Sequence, residues 1–221
     1  MKPTIIYEDN HILAVNKPAG WLVQGDQTGD ETLTDWAKAY IKVQYDKPGA
    51  VYLHPVHRID RPVSGAVLFA RTEKALGRLN ELFRNKKVDK TYLAIVLKAP
   101  EVPTGTLRHF LLKDDQKNLV KAYLKPHGDA KESITEYKLI ERTASEHYLL
   151  KVNPLTGRSH QIRVQLAEMG CVILGDLKYG ASQPLPDASI ALHCRSMSFI
   201  HPVQQIVLNI EAPLPEEKWW E

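Results

Sequence analysis

The segment HRIDRPVSG, residues 57–65, concentrates the residue types best suited to chemistry. One histidine, two arginines and one carboxylate fall within its first five residues, and a proline and a glycine then turn the chain. The surrounding positive charge favours the ionised form of Asp60. An ionised and positioned carboxylate can serve as a base, a metal ligand or a nucleophile. The alternative is a solvated loop with an Arg–Asp pair at the surface, which contributes little to stability.

Three other segments accompany this one: NKPAG at 16–20, KTYLA at 90–94, and GRSHQIRV at 157–164, which is followed by GDLKYG at 175–180. In chain order, the four segments resemble the motifs NKPxG, HRLDxxTSG, KxYxA and GRxHQIRVH. These motifs belong to the RluA-like family of RNA pseudouridine synthases, and the resemblance covers essentially the whole chain. Four motifs in the expected order are far more specific than any single one.

The sequence departs from the family pattern at three positions. Val63 stands where the family usually has threonine, Gln165 stands where histidine is usual, and Ile59 replaces leucine. None of these changes removes a proposed catalytic group, but the first two alter side chains that could shape the loop or contact RNA.

The resemblance implies a specific reaction. A uridine in RNA is taken out of its stack, its N1–C1′ glycosidic bond is broken, and the base is turned and rejoined through C5. The family does this without a metal or an organic cofactor and depends on one essential aspartate, which corresponds to Asp60. Its role would be nucleophilic attack on the sugar or the base, or electrostatic and base assistance to bond cleavage.

The resemblance also implies roles for other residues. Arg163 would pair with Asp60 and hold it ionised. Tyr92 would stack on the target base and assist a proton transfer, although a tyrosine buried in the core is the competing interpretation. Arg58 would enter the space that the flipped nucleotide leaves. We expect His57 to orient the loop by hydrogen bonding rather than to act as a catalyst.

RNA is the expected partner, in the form of a transfer or ribosomal RNA stem-loop. We expect Arg158 and His160, in the GRSHQIRV segment, to bind substrate together with Arg58 and His57. Two runs of basic residues suit phosphate contacts, although solvated surfaces are the commoner meaning of such runs. They comprise Arg71, Lys74, Arg78, Arg84, Lys86, Lys87 and Lys90, and then Lys113, Lys117, Lys121, Lys125 and Lys131.

The bulk composition is that of an ordinary globular protein. The 221 residues carry a net charge of only +3, so the distribution of charge matters more than its total. The two cysteines lie far apart and in no metal-binding spacing, which favours two buried thiols over a disulfide or a zinc site. No signal peptide or membrane-spanning run is recognisable, so we expect a cytoplasmic protein. Separately, we expect the protein to be a monomer.

The periodicity predicts three helices and several strands. Thr32 and Asp35 suit a capping box for the first helix, Thr72 caps the second, and Ser159 caps the third, which stops at Gly170. The helices are predicted at 32–45, 72–85 and 159–169. The strands are predicted at 5–7, 11–16, 65–70, 91–97, 133–141, 147–152, 191–200 and 206–210. A hairpin including residues 106–107 and 120–124 carries the second lysine-rich run.

The resemblance implies an α+β fold with a mixed, largely antiparallel central sheet, flanking helices and a central RNA-binding cleft. We expect residues 1–221 to form a single catalytic domain without an N-terminal accessory RNA-binding domain.

Other functions fit the sequence less well. His57, Asp60 and Ser64 lie too close together for a hydrolase triad, whose members normally come from separate segments, and there is no G-x-S-x-G motif. The nine histidines form no H-E-x-x-H motif, and neither a P-loop nor a G-x-G-x-x-G fingerprint is present. A non-catalytic RNA-binding or ribosome-assembly protein on the same fold remains the alternative. The presence of Asp60, Tyr92 and Arg163 favours the enzyme.

Overall fold

The computed structural model describes residues 2–26 and 29–220, which form two compact units. Each unit is built from two stretches of the chain. The boundary between residues 193 and 194 falls within the strand Leu192–Ile200. Of the described residues, unit 1 comprises 2–26, 29–89 and 194–214, and unit 2 comprises 90–193 and 215–220.

The described residues contain eleven strands and three α-helices. In chain order they are β1 (Thr4–Glu8), β2 (Ile12–Lys17), α1 (Leu33–Gln44), β3 (His54–Pro55), β4 (Ser64–Ala70), α2 (Glu73–Arg84), β5 (Asp89–Val96), β6 (Thr104–Asp114), β7 (Leu119–Tyr123), β8 (Lys131–Arg142), β9 (Tyr148–Pro154), α3 (Gln161–Glu168), β10 (Leu192–Ile200) and β11 (Val207–Glu211). No helix in this part of the chain is long and apolar enough to cross a membrane.

Unit 1 is built around strand β4. In this unit the strand order is β1-β2-β4-β10, β3 also pairs with β4, and β11 pairs with β10. All seven residues of β4 are buried, which matches its uninterrupted run of small and apolar side chains. Helices α1 and α2 contribute Leu33, Ala37, Ile41, Ala75 and Leu79 to the buried core.

Unit 2 is an antiparallel sheet with the strand order β5-β9-β8-β6-β7. Alternating burial along β8 places Ser133, Thr135 and Tyr137 on the covered face. Helix α3 packs against β6, β7, β8 and β9 and buries six consecutive residues, including Gln161, Arg163 and Gln165. Three long polar side chains inside one short helix need internal partners.

The start signals of the first two helices are confirmed. The side chain of Thr32 accepts a hydrogen bond from the backbone of Asp35, and the carboxylate of Asp35 accepts from the backbone of Thr32, which is a complete capping box. Thr72 caps α2 with a single bond, in which its side chain accepts from the backbone N–H of Ala75. The eight strands predicted outside the hairpin are present, with ends within two residues, and the hairpin is formed by β6 and β7. The short strand β3 was not predicted.

The predicted start of the third helix is wrong. Ser159 does not cap α3; the N-cap is His160, which has a left-handed backbone with φ 48° and makes no side-chain capping bond. The physical reason lies in Gln161, whose side-chain oxygen accepts from the backbone N–H of Arg158 and closes the turn itself. The predicted stop at Gly170 is confirmed, because its N–H bonds the carbonyl of Ala167 at φ 80°.

Gly65 provides a direct test of the packing around β4. Its φ is +114°, and a Cβ at this position would lie 2.3 Å from the carbonyl oxygen of Cys194. Because the atoms that this Cβ would meet belong to the backbone of Cys194, they cannot move aside cheaply. We predict that Gly65→Ala lowers the free energy of unfolding by at least about 2 kcal/mol, measured by urea denaturation.

Gly77, in the middle of α2, is the matched control. Its φ is ordinary for a helix and a Cβ there would meet nothing within 4 Å. Gly77→Ala should therefore raise the free energy of unfolding by about 0.5–1 kcal/mol. Equal effects of the two substitutions would contradict the close backbone approach at Gly65.

Candidate functional site

The loop of residues 57–63, here called the Asp60 loop, connects β3 to β4 and is anchored at its start by His57. The Nε2 atom of His57 accepts a hydrogen bond from the backbone N–H of Leu68, 3.1 Å away. The imidazole also stacks on the ring of Phe83, with centroids 5.2 Å apart. His57 therefore joins the loop to both β4 and α2.

Burial alternates along the Asp60 loop. Ile59 and Val63 are buried, Asp60 is half-buried, and Arg58 is exposed. The carbonyl of Asp60 accepts from the backbone N–H of Val63 at 3.0 Å, which closes the turn. Two buried apolar side chains thus hold the backbone on either side of the half-buried Asp60. Val63, at the position where the family usually has threonine, is 2 % exposed and lies in the apolar core.

Lys17 clamps the Asp60 loop from the neighbouring strand. Its side chain is fully buried, and Nζ donates to the carbonyl oxygens of Pro18 at 3.0 Å, Trp21 at 2.8 Å and Arg61 at 3.2 Å. These three bonds match the three N–H donors of an ammonium group. The backbone N–H of Gly20 donates to the same Arg61 carbonyl, and Arg61 Nε donates to the carbonyl of Gly20.

The charge on Lys17 is coupled to the charge on Asp60. Burial lowers the pKa of Lys17 to about 7, the negative charge of Asp60 acts in the opposite direction, and Arg61 lowers the pKa further. Lys17 was not among the predicted site residues, although it contacts the Asp60 loop. The signal was available, because Lys17 ends an apolar strand within the recognised NKPAG segment.

Arg163 lies in unit 2, buried on α3, and is paired with Asp176. The guanidinium forms a bidentate pair with this carboxylate, with Nε–Oδ2 at 2.7 Å and Nη2–Oδ1 at 2.8 Å. Both side chains are nearly inaccessible, and the guanidinium carbon lies 5.2 Å from the ring centre of Tyr179. Asp176 was not predicted as a partner, although it belongs to the recognised GDLKYG segment. The predicted pairing of Arg163 with Asp60 involves residues of different units and stays a prediction.

Tyr179 connects the lysine-rich hairpin to the start of α3. Its hydroxyl oxygen accepts from the backbone N–H of Val120 on β7 at 3.0 Å, and it lies 2.8 Å from Nδ1 of His160. His160 is therefore a buried and oriented side chain. Arg158 is exposed, and its Nε donates weakly to the carbonyl of Glu132 at 3.4 Å. Tyr92 is half-buried on β5, opposite Val152 of β9.

Two glutamines of α3, Gln161 and Gln165, both form hydrogen bonds with the hydroxyl of Thr135. Gln165, where the family usually has histidine, accepts from the Thr135 hydroxyl at 2.7 Å and donates to the carbonyls of Leu107 and Ser133. Gln161 donates to the Thr135 oxygen at 2.9 Å and accepts from the backbone of Arg158. Gln165 therefore belongs to a buried hydrogen-bond network that extends through Thr135 and Gln161 to the backbone of Arg158.

The predicted site residues thus fall into two groups. His57, Arg58 and Asp60 share one loop of unit 1, and unit 2 holds the others: Tyr92 on β5, Arg158 and His160 in the turn before α3, and Arg163 within α3.

A family model described as RNA pseudouridylate synthase matches residues 11–168 of the chain. The chain belongs to this family. It is 36 % identical over 218 residues to ribosomal large subunit pseudouridine synthase C of Vibrio cholerae, an alignment that covers 95 % of this chain and 65 % of that protein. The corresponding protein of Rickettsia prowazekii is 34 % identical over 212 residues, covering 96 % of this chain and 68 % of the relative. The chain therefore spans about two thirds of the length of these relatives.

Solved structures of family members have the same fold. Human RNA pseudouridylate synthase domain containing 4 superposes with a TM-score of 0.79 and 26 % identity, covering 96 % of this chain and 88 % of the human chain. Human RNA pseudouridylate synthase domain containing 1 gives a TM-score of 0.77 at 23 % identity, covering 100 % and 86 %. The predicted α+β pseudouridine synthase fold, with largely antiparallel strands and flanking helices, is confirmed.

The buried lysine predicts a pH dependence of stability. Lys17 releases its proton at about pH 7 in the folded protein, against an ordinary value of 10.5 in the unfolded chain. Between these values the unfolded state binds more protons, so the contribution of Lys17 to the free energy of unfolding increases with pH. We predict that the wild type gains stability relative to Lys17→Met between about pH 6.5 and about pH 9, measured by urea denaturation. A difference that stays constant or shrinks would contradict the lowered pKa.

The pair between Arg163 and Asp176 predicts a large effect on stability. Asp176→Asn leaves a buried guanidinium without its full counter-charge, and we expect a loss of about 3–5 kcal/mol in the free energy of unfolding. Asp115→Asn is the control, because Asp115 pairs with Lys113 at the surface and its removal should change stability very little. Similar losses for the two variants would show that burial of the Arg163 pair is energetically unimportant.

Proposed function

We propose that this protein isomerises specific uridines of structured RNA to pseudouridine, with Asp60 as the essential carboxylate. The observation that carries the proposal is the Asp60 loop itself, in a chain of the RNA pseudouridylate synthase family: a half-buried aspartate held beside the buried Lys17 on a doubly anchored turn. Since similar proteins are named as modifying the large ribosomal subunit, ribosomal RNA is the substrate to test before transfer RNA.

The proposed reaction is balanced without an oxidant or reductant. The N1–C1′ bond breaks, a C5–C1′ bond forms, the proton on C5 leaves, and N1 takes up a proton. The carboxylate of Asp60 either attacks the sugar or the base, or stabilises the charge that develops as the glycosidic bond breaks. Each role requires an ionised carboxylate.

The remaining site residues are proposed to bind and orient the nucleotide. Tyr92 offers a ring for stacking and a hydroxyl for proton transfer, and the exposed Arg58 has the planar guanidinium suited to fill the space of a flipped nucleotide. Arg158 suits a phosphate contact because it too is exposed. His160 and Arg163 are buried; His160 is proposed to bind substrate, and Arg163 is proposed to act as the partner of the Asp60 carboxylate.

We also propose a compartment and an oligomeric state for the acting protein. A ribosomal RNA substrate favours a cytoplasmic protein. A single copy of the chain is the expected acting form, which the molar mass from light scattering tests.

Substitution of Asp60 tests this function directly. We predict that Asp60→Asn reduces pseudouridine formation in unmodified large-subunit ribosomal RNA transcript by at least about a thousandfold, while the protein stays folded and keeps its affinity for the RNA. The measurement is pseudouridine mapping after incubation with purified protein.

Asp30→Asn serves as the control for this variant. Asp30 is an exposed carboxylate that pairs with Arg61 of the Asp60 loop at 2.8 Å. Asp30→Asn therefore removes the same charge as Asp60→Asn, close to the same loop, and leaves the proposed catalytic group in place. It should retain most of the activity. Undiminished turnover by Asp60→Asn would refute the mechanism, and RNA binding without turnover by the wild type would favour the non-catalytic RNA-binding protein.

A further inference from the structure

An open groove of ≈ 530 Å³ lies on unit 1 between helix α2 and the turn that follows β10. We call it the α2 groove. One wall comes from the second half of α2 and the residues just after it, and the other from the end of β10 and its turn. The residues that carry the argument are Arg78, Leu82, Asn85, Lys87, Ile200 and Val203.

Three of the residues that line the α2 groove are aliphatic and at least partly exposed. Ile200 is 42 % exposed and Val203 is 37 % exposed, and Leu82 of α2 lies opposite them with partial exposure. Three aliphatic side chains along one open groove form a surface on which a flat, apolar group can be covered from water. Every nucleobase has such a flat face, so this kind of contact does not depend on the sequence of the RNA.

The rim of the same groove carries hydrogen-bond donors. Arg78 is fixed across it, because one guanidinium N–H donates to the carbonyl of Pro202 at 2.7 Å. A guanidinium has five N–H donors, so this anchor leaves the group able to bind an anion as well. Lys87 and Asn85 lie further along, and Glu81 is the one carboxylate among the residues that line the groove.

The surroundings of the groove are electropositive. Helix α2 and the turn after it carry five exposed cations and two exposed carboxylates, and within the described residues none of these cations forms an ion pair. They are Lys74, Arg78, Arg84, Lys86 and Lys87, against Glu73 and Glu81. A dense row of unpaired cations attracts a polyanion more strongly than it attracts a mixed protein surface.

The same helix also supports the proposed catalytic loop. Phe83, in the last turn of α2, stacks on His57 at the start of the Asp60 loop. Helix α2 therefore both lines the groove and contacts the Asp60 loop. This shared helix, together with the charge, favours RNA over an acidic peptide or a second copy of the chain.

We propose that the α2 groove is a second RNA-binding site, at which a nucleotide away from the reacting uridine lays its base against Leu82, Ile200 and Val203. Its phosphates contact Arg78 and Lys87. The inference rests on the proposed function for the identity of the RNA. The site adds affinity for long substrates and takes no part in the chemical step.

The test uses the Asp60→Asn protein, so that binding is measured without turnover, and large-subunit ribosomal RNA transcript as the probe. Adding Lys87→Glu should weaken binding about tenfold and lower the slope of log affinity against log salt by about one. Adding Val203→Ala should weaken binding but leave the salt slope unchanged, because it removes only apolar contact. Lys42→Glu is the control, an equal charge change on an exposed lysine of α1.

In the protein with Asp60 intact, Lys87→Glu should raise KM and leave kcat unchanged. Equal RNA affinities for Lys87→Glu and Lys42→Glu would overturn the proposal, as would a groove variant that alters only the molar mass in light scattering, which would indicate a second copy as the occupant. Failure of the proposed function has a different signature: a wild type that binds the transcript, with the groove variants weakened as expected, but forms no pseudouridine.

Discussion

The buried ammonium group of Lys17 is the interaction on which the arrangement of the Asp60 loop depends. A buried charge is unfavourable unless it is fully hydrogen-bonded, and here three carbonyl oxygens surround it. One of them belongs to Arg61, the residue after Asp60. The hydrogen bond that satisfies Lys17 therefore also holds the backbone next to Asp60. Loss of the lysine would take one donor from each of the three carbonyls, and the Arg61 carbonyl would keep the N–H of Gly20.

Unit 2 also buries polar side chains that need hydrogen-bond partners. Arg163, Gln161 and Gln165 are long polar side chains buried on one short helix, and each is satisfied by partners that come from separate parts of the chain. Such networks specify one arrangement, because a small displacement breaks several bonds at once. The helix has only a weak apolar stripe, so these bonds, together with the burial of Ile162, Val164 and Leu166, hold it in place.

Local sequence patterns predicted the three helices and every described strand except β3, whereas they did not predict the long-range pairing of side chains. The capping box of Thr32 and Asp35 is contained in four residues, so it can be recognised in the sequence. The partners of Lys17 and the pairing of Arg163 with Asp176 depend on the path of loops that no periodicity describes. Ser159 failed as a cap because Gln161 supplied the closing bond, a competition between neighbours that residue preferences do not decide.

Pseudouridine mapping of large-subunit ribosomal RNA, in cells with and without the gene, tests the central claim most directly. The account predicts at least one uridine that loses its modification when the gene is removed and regains it when the wild-type protein is restored. An unchanged pattern in ribosomal and transfer RNA, together with no turnover of unmodified cellular RNA by the purified protein, would contradict it.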